Sequence, residues 1–434
     1  MLKKFKRILK HKISLRSLLS MSSKDIQVRI TKPLSPDLIN VKNLLEQLSI
    51  EELNETAENY FASIEDSTYH LKKPFTNPSE TAELLTNFSQ LILGMNLLPG
   101  MSLIDFGSGS CWSTRFFSQL GLETTALDVS PSALEIGKKL FEKLPIIGKY
   151  KRPTFLNYDG KVFPIQDNSI DRIACIDAFH HVPNQEEVLS EFFRVLKPNG
   201  LVGFVEPGPT HSTSPQSQYE MKTFKVIEND IFIEDIWQES KKIGFSDIEI
   251  AIYNPLSFKV GLNDFNRFIR GFGPKKQYLH QTQSQMSLRR TFFLHKGMPI
   301  VKDSRVPEGL KARIRIKLNE QTIGTKGMIR GEAAIKNIGS SLWRPSDDAY
   351  APVNLGVHLF KEDGSLVNND FVRISLPKLG MEGIQPGAEI KFDISLVAPE
   401  CSGSYLLEFD LVSEMVTWFG IMGSKTQKIG ISVN

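Results

Sequence analysis

Leu103-Ile104-Asp105-Phe106-Gly107-Ser108-Gly109-Ser110-Cys111-Trp112 is an apolar run that breaks at two glycines, and Leu127-Asp128-Val129-Ser130 follows it. The first segment reads as a buried strand, a tight turn and a helix start. The second reads as the next strand, ending in a carboxylate. Glycines let the backbone approach a bound molecule closely, and a helix N-terminus at that point offers unpaired N–H groups. A carboxylate about 20 residues on, at the tip of the neighbouring strand, can accept both hydroxyls of a ribose. Its competing role is to cap the helix that starts near Pro131, which Ser130 suits better. Together the two segments point to a nucleotide-type ligand in an α/β fold.

The details favour S-adenosylmethionine over a dinucleotide. A dinucleotide turn wants a third small residue three places after the second glycine, so that helix and strand pack closely. Trp112 stands there, preceded by Cys111. Asp105, two residues before Gly107, would repel a pyrophosphate and favour the ammonium of a methionine moiety, directly or through water.

The blocks that follow give the pattern a family. They are 105–109 (DFGSG), 126–130 (ALDVS), 157–160 (NYDG), Phe163-Pro164 with 169–171 (SID), 176–182 (IDAFHHV), 191–200 (EFFRVLKPNG) and 205–208 (VEPG). In this order and spacing, residues 80–297 resemble a class I S-adenosylmethionine-dependent methyltransferase. The resemblance implies a Rossmann-like seven-stranded sheet whose last strand inserts antiparallel, with N-terminal helices capping the cofactor. It also implies site roles. Gly107 and Gly109 admit the cofactor's methionine and ribose, Asp105 serves the ammonium, and Asp128, with Val129 beside it, takes the ribose hydroxyls. Asp159 would accept from the adenine amino group beside Gly160, unless Asp159-Gly160 is a plain turn. Ile176 and Asp177 line the site near the methyl group.

Methyl transfer needs mainly proximity and orientation, because the sulfonium is already a good leaving group. A hydroxyl acceptor also calls for a base, and histidine suits that task. His180 and His181 follow the fourth strand, and Glu206 and His211 follow the fifth, at the edge where open α/β sheets bind ligands. The sequence leaves the choice among them open and suggests His181 as the more buried of the adjacent pair. Enzymes that methylate amino groups of nucleic-acid bases carry Asn/Asp-Pro-Pro-aromatic after the fourth strand; this chain has Asp177-Ala178-Phe179-His180. No carboxylate set for a metal-dependent catechol-type enzyme assembles beside that strand. The three cysteines have no metal-ligand spacing, so no metal site is expected.

Composition sets the wider frame. The 434 residues suggest two or three domains. Scattered cysteines argue against a disulfide framework and for a reducing compartment. No apolar run is long enough to span a bilayer, and lysines interrupt any leader-like segment. A cytoplasmic setting is therefore expected. Residues 1–30 hold nine Lys/Arg against Asp25, a charge of +8, which leaves −5 for the rest of a chain whose net charge is +3. That body is a poor nucleic-acid surface. In residues 1–32, Leu2, Phe5, Leu9 and Ile13 fall at helical spacing among the basic residues. The extension reads either as a helix lying on an anionic membrane or as a solvated tail.

Residues 33–298 form the expected methyltransferase domain. Its N-terminal part to residue 98 is helical, and alternating strands (101–106, 123–129, 154–158, 170–177, 201–206) and helices (111–120, 131–143, 185–195, 233–243) imply a parallel sheet. Strands at 246–253 and 290–296 would complete it. Between them, 255–288 is aromatic and basic, either a substrate lid or a packed insertion. Residues 299–312 read as a linker.

From 313 to 434, short alternating strands at 313–318, 327–336, 354–361, 389–397, 403–412 and 427–433, with an Asp363-Gly364 hairpin, indicate an all-β immunoglobulin-like sandwich. Asn337-Ile338-Gly339 with Trp343, 354–358 (NLGVH) and 409–414 (FDLVSE) with 416–419 (VTWF) resemble the carbohydrate-binding sandwich of O-antigen polysaccharide export ATPases. Trp343, Trp418 and Phe419 are either sugar-stacking rings or core. The resulting expectation is a methyltransferase acting on a small-molecule, glycan or glycolipid acceptor, with O-methylation in view. The alternative is a cofactor-binding pseudoenzyme that works through its sandwich.

Overall fold

Leu103, Ile104, Phe106, Ala126 and Leu127 are buried on both sides of their strands, which is what near-continuous apolar runs require of a parallel sheet. The computed structural model of the chain describes residues 38–148, 150–298, 302–379 and 383–434. The basic extension 1–32 and its membrane reading lie outside these residues. Two compact units divide at Gly297/Met298.

The first unit opens with helices α1 (Val41–Gln47), α2 (Ile50–Ala62), α3 (Thr68–Lys72) and α4 (Pro78–Met95). Ser49 and Glu52 close a capping box at the start of α2. There follow β1 (Ser102–Phe106), α5 (Trp112–Gln119), β2 (Glu123–Asp128), α6 (Pro131–Lys143), β3 (Thr154–Asn157), β4 (Ile170–Ile176), α7 (Gln185–Val195) and β5 (Leu196–Pro207). Then come α8 (Pro215–Phe224), α9 (Ile233–Ile243), β6 (Asp247–Ala251), α10 (Leu262–Ile269), α11 (Lys275–Leu288) and β7 (Arg289–Lys296). The sheet order is β3-β2-β1-β4-β5-β7-β6. Strand β7 runs antiparallel to both β5 and β6, as the family resemblance implies. Ser130 caps α6 by accepting the Ala133 amide at 3.0 Å.

Helix α4 lies against the sheet through Gly94, where an added Cβ would sit 1.9 Å from Phe293 Cζ. Gly94→Ala gains up to about 1 kcal/mol of helix propensity. It also overpacks a buried ring, at about 1–3 kcal/mol. A lower urea-unfolding midpoint is expected; an unchanged or raised midpoint would mean that α4 does not seat on β7 this closely.

Segment 255–288, expected as a lid or a packed insertion, forms α10 and α11. None of its residues lines the cavity described below, and Leu262, Phe265, Ile269 and Phe272 are exposed. Its second helix packs: Thr282 is buried, and the Leu288 carbonyl accepts the Gly208 amide at 2.7 Å.

The second unit contains a three-stranded sheet and a six-stranded sheet. The first pairs β10 (Met328–Asn337) with β8 (Ala312–Leu318) and β13 (Glu389–Val397). The second orders β12 (Leu366–Ser375), β11 (Val353–Lys361), β14 (Gly403–Ser413), β16 (Gln427–Val433) and β9 (Thr322–Ile323), with β15 (Thr417–Trp418) on β14. Inward residues of both sheets meet in one apolar core. Part of the stretch expected as a linker belongs to this unit: Asp303, Ser304 and Leu310 are buried, and the Leu342 amide donates to Lys302. Trp343 and Phe419 are fully buried and pack edge to face at 5.4 Å. Of the three rings read as either sugar-stacking or core, these two are core. Trp418 is half-buried beneath the Arg373 guanidinium.

Candidate active site

The C-terminal ends of β1, β2 and β4 open onto a cavity of about 480 Å³ roofed by α2. Gly107 has a φ of +61°, and a Cβ there would lie 2.4 Å from that of Ala178. Only glycine keeps the β1 turn against the β4 loop. Gly109 donates its amide to Asp128 Oδ2 at 2.8 Å, and the Ser130 amide donates to Oδ1 at 2.9 Å. Asp128 thus fixes the glycine turn and its own strand end, while each oxygen keeps a lone pair for a ligand. Burial holds its carboxyl above the usual range, and the two amides partly offset this. Gly107, Gly109, Asp128, Val129, Gly160, Ile176 and Asp177 all line the cavity.

Asp105 and Asp159 do not line it. Asp105 is buried beneath the turn, where its Oδ2 accepts the Ser113 and Thr114 hydroxyls at 2.7 and 2.5 Å. It braces the first turn of α5, and the structure gives it no direct reach to an ammonium. Asp159 is exposed and spends Oδ1 on the Lys161 and Val162 amides, so its side chain makes the turn. Gly160 is the residue at the wall: its φ is +83°, and a Cβ would meet Asn54 Nδ2 at 2.1 Å.

Burial, with Asp128 adding to it, pushes Asp105 up to about 6 despite its hydroxyl partners. A folded-state pKa above the unfolded value means the native chain holds the proton longer, so stability falls as pH rises from about 4 to about 6. Asp105→Asn never ionises and keeps an oxygen acceptor. Its melting temperature is therefore expected to move in its favour, relative to wild type, across that window and to level off above it. A difference that does not vary with pH would place the ionised carboxylate comfortably in its site.

The far end of the cavity is polar. The sequence expectation for the adjacent histidines reverses here. His180 is buried, while the His181 side chain is 36% exposed. His180 sits in a 3₁₀ turn, Phe179–His181, held from below by Glu206. Glu206 is fully buried and does not line the cavity. Its carboxylate accepts the amides of Ala178, Phe179 and His180 at 3.0, 2.8 and 3.3 Å, and the His180 Nδ1–H at 2.7 Å. It is a positioning residue, and it leaves His180 Nε2 as the free nitrogen. His211 reaches the same end from the loop after β5.

The residue that joins them is one the sequence did not single out. Glu228 is buried, with Oε2 2.6 Å from His211 Nε2 and 3.9 Å from His180 Nε2, and Oε1 3.5 Å from His181 Nδ1. Burial raises its carboxyl, but His211, then His181 and His180, pull it down to about 2. Burial, and then His181, hold the His180 imidazole below its usual range. Burial lowers His181 too, yet Glu228 and the Ile227 carbonyl more than offset it, so the net direction is up. At the sheet edge Arg289 pairs with Asp177 and, at 3.2 Å, with Glu83. Burial raises the Asp177 carboxyl, but Arg289 overrides it and holds the group below its usual range.

Comparison with known proteins agrees with this geometry. Residues 104–204 match the family model described as a methyltransferase domain. Squalene methyltransferase 1 of Botryococcus braunii is 26% identical over 162 residues, covering 37% of this chain and 42% of that protein. Ubiquinone/menaquinone biosynthesis C-methyltransferase of Shewanella pealeana is 26% identical over 132 residues, 30% of this chain and 51% of that protein. Sterol 24-C-methyltransferase of Yarrowia lipolytica is 26% identical over 178 residues, 39% and 46% respectively. The chain thus spans about half the length of these curated relatives. A solved structure of Haemonchus contortus phosphoethanolamine N-methyltransferase 2 with S-adenosyl-L-methionine has 19% identity and a TM-score of 0.40, covering 58% of this chain and 60% of that one. The stretch that matches the methyltransferase-domain model runs from β1 to β5.

Proposed function

We propose that the chain transfers a methyl group to a small acceptor held at the histidine end of the cavity. The cofactor is S-adenosylmethionine, and the residues present fit it. A Cβ at Gly107 would collide with Ala178, and Asp128 lines the cavity with lone pairs to spare. When bound, S-adenosylmethionine supplies an electrophilic methyl on a leaving group that needs little activation. The chain's own residues then bind and orient. Asp128 and the backbone of 107–109 take the nucleoside end, and Ile176 and Asp177 flank the middle of the cavity. Leu53, Tyr60, Phe61 and Trp112 give an apolar wall for the acceptor's body. His180, His211 and Glu228 receive its reacting group and the proton that group releases.

The observation that carries this reading is the placement of the glycine turn and the histidine cluster in one cavity. The apolar wall favours an acceptor with an apolar body, and the names of the matched relatives, for squalene, for sterol 24-C-methylation and for C-methylation in ubiquinone/menaquinone biosynthesis, are precedents for such a body; the hydroxyl rests on the histidine cluster alone. A glycan acceptor draws no support from Trp343 or Phe419, which are core. The test is transfer of labelled methyl from S-adenosylmethionine, catalysed by the full chain, across phenols, quinols, sterols and sugar alcohols. Transfer to a hydroxylated apolar class, lost on His211→Ala, is expected. Cofactor binding with no transfer to any class would favour a cofactor-binding interaction protein instead.

A further inference from the structure

We propose that the polar end of this cavity is a binding site for one first-row divalent metal ion, with His180, His181 and Glu228 as ligands and His211 beside them. One ligand atom from each of the first three lies within 4.8 Å of the others. An ion about 2.1 Å from each draws such a set in by small side-chain rotations.

Two further features separate this cluster from an ordinary hydrogen-bonded one. Glu228 is 2% exposed, yet its Oε1 has no hydrogen-bond partner. A buried carboxylate oxygen left without one is costly. Second, the His180 ring is fixed through Nδ1 by the buried Glu206 carboxylate, which leaves Nε2 unprotonated and aimed at Glu228. A carboxylate behind a histidine in this way is the arrangement that orients metal-binding imidazoles and raises their basicity. His181 makes the equivalent contact through the Ile227 carbonyl, at 2.8 Å from Nδ1. Mixed imidazole and carboxylate ligands suit zinc and its first-row neighbours rather than magnesium or calcium.

In the methyl-transfer reading, on which this role but not the binding itself rests, the ion holds the acceptor's hydroxyl oxygen and lowers its pKa. The proton passes to His211 beside the ion and on to solvent, the oxygen lone pair forms the new bond to the methyl carbon, and the C–S bond breaks with its pair going to sulfur.

The experiment is calorimetric titration of zinc into the chelator-stripped full chain, with cobalt(II) as a spectroscopic probe of the same site. One equivalent bound with submicromolar affinity, and visible ligand-field absorption from cobalt, are expected. Glu228→Gln and His211→Ala should each weaken zinc binding by about tenfold to a hundredfold or more. His211 is partly exposed, so His211→Ala carries the test if Glu228→Gln fails to fold. Retention of S-adenosylmethionine binding by His211→Ala separates the metal proposal from the cofactor reading. No zinc binding by the folded wild type, or binding that neither variant weakens, would overturn the proposal.

Discussion

Glu206→Ala is expected to destabilise the first unit by about 3–5 kcal/mol, because it strips partners from a buried polar cluster. In the native chain this one carboxylate, fully buried, accepts three consecutive backbone amides and the His180 imidazole. Cys175 Sγ lies 3.4 Å away on the neighbouring strand. Alanine leaves all four donors without an acceptor in a space that water does not reach. A domain of this size should lose on the order of 10 °C in melting temperature. Glu206→Gln separates geometry from charge. Its oxygen can still serve the Ala178 and Phe179 amides, but its NH₂ would face the His180 donors and force the ring to change tautomer. An intermediate loss is expected. Thermal and urea unfolding of both variants check this; losses under about 1 kcal/mol would mean that Glu206 does not carry the β4 loop.

Asp128→Ala is expected to weaken S-adenosylmethionine binding by about tenfold to a hundredfold, each tenfold being about 1.4 kcal/mol. The side chain would lose its acceptors for the ribose hydroxyls and would also release the Gly109 and Ser130 amides, so the glycine turn loosens with it. Asp128→Asn keeps one acceptor and should fall between wild type and alanine. Calorimetry with cofactor measures both. A change below about threefold in a folded Asp128→Ala protein, under about 1 kcal/mol, would move the nucleoside end away from β2.

What the sequence made legible follows from local chemistry. Strands β1, β2 and β4 read clearly because each closes on an apolar run and ends at a glycine or a carboxylate. Helix α6 was framed by Ser130 and Pro131, and the β11–β12 hairpin by Asp363-Gly364, where Gly364 sits at a φ of +83°. Strand β12 itself was not anticipated. Its sequence, LVNNDFVRIS, is an exposed edge with little alternation.

In the site, the residues fixed by backbone geometry were found, and those defined by long-range contact were not. Glu228 lies in a loop with no periodic signal, and only the fold brings it to histidines from two other loops. Asn54, Glu58 and Phe61 on α2 look like any helix face in sequence. Yet Glu58 accepts the Ser130 hydroxyl at 2.6 Å and the Ser132 amide at 3.1 Å, tying the roof of the cavity to the start of α6. Asp105 and Asp159 show the converse. Each fits a motif position, but nearer donors, the Ser113 and Thr114 hydroxyls and the Lys161 and Val162 amides, have taken one of its oxygens. Adjacent histidines in a 3₁₀ turn point in different directions, and their sequence alone does not say which one Glu206 will hold.

The most direct measurement is calorimetric titration of S-adenosylmethionine into the full-length wild-type chain. The expected result is one equivalent bound with micromolar affinity. Absence of binding by folded protein at near-millimolar cofactor would contradict the assignment of the glycine turn and Asp128 as a working cofactor site.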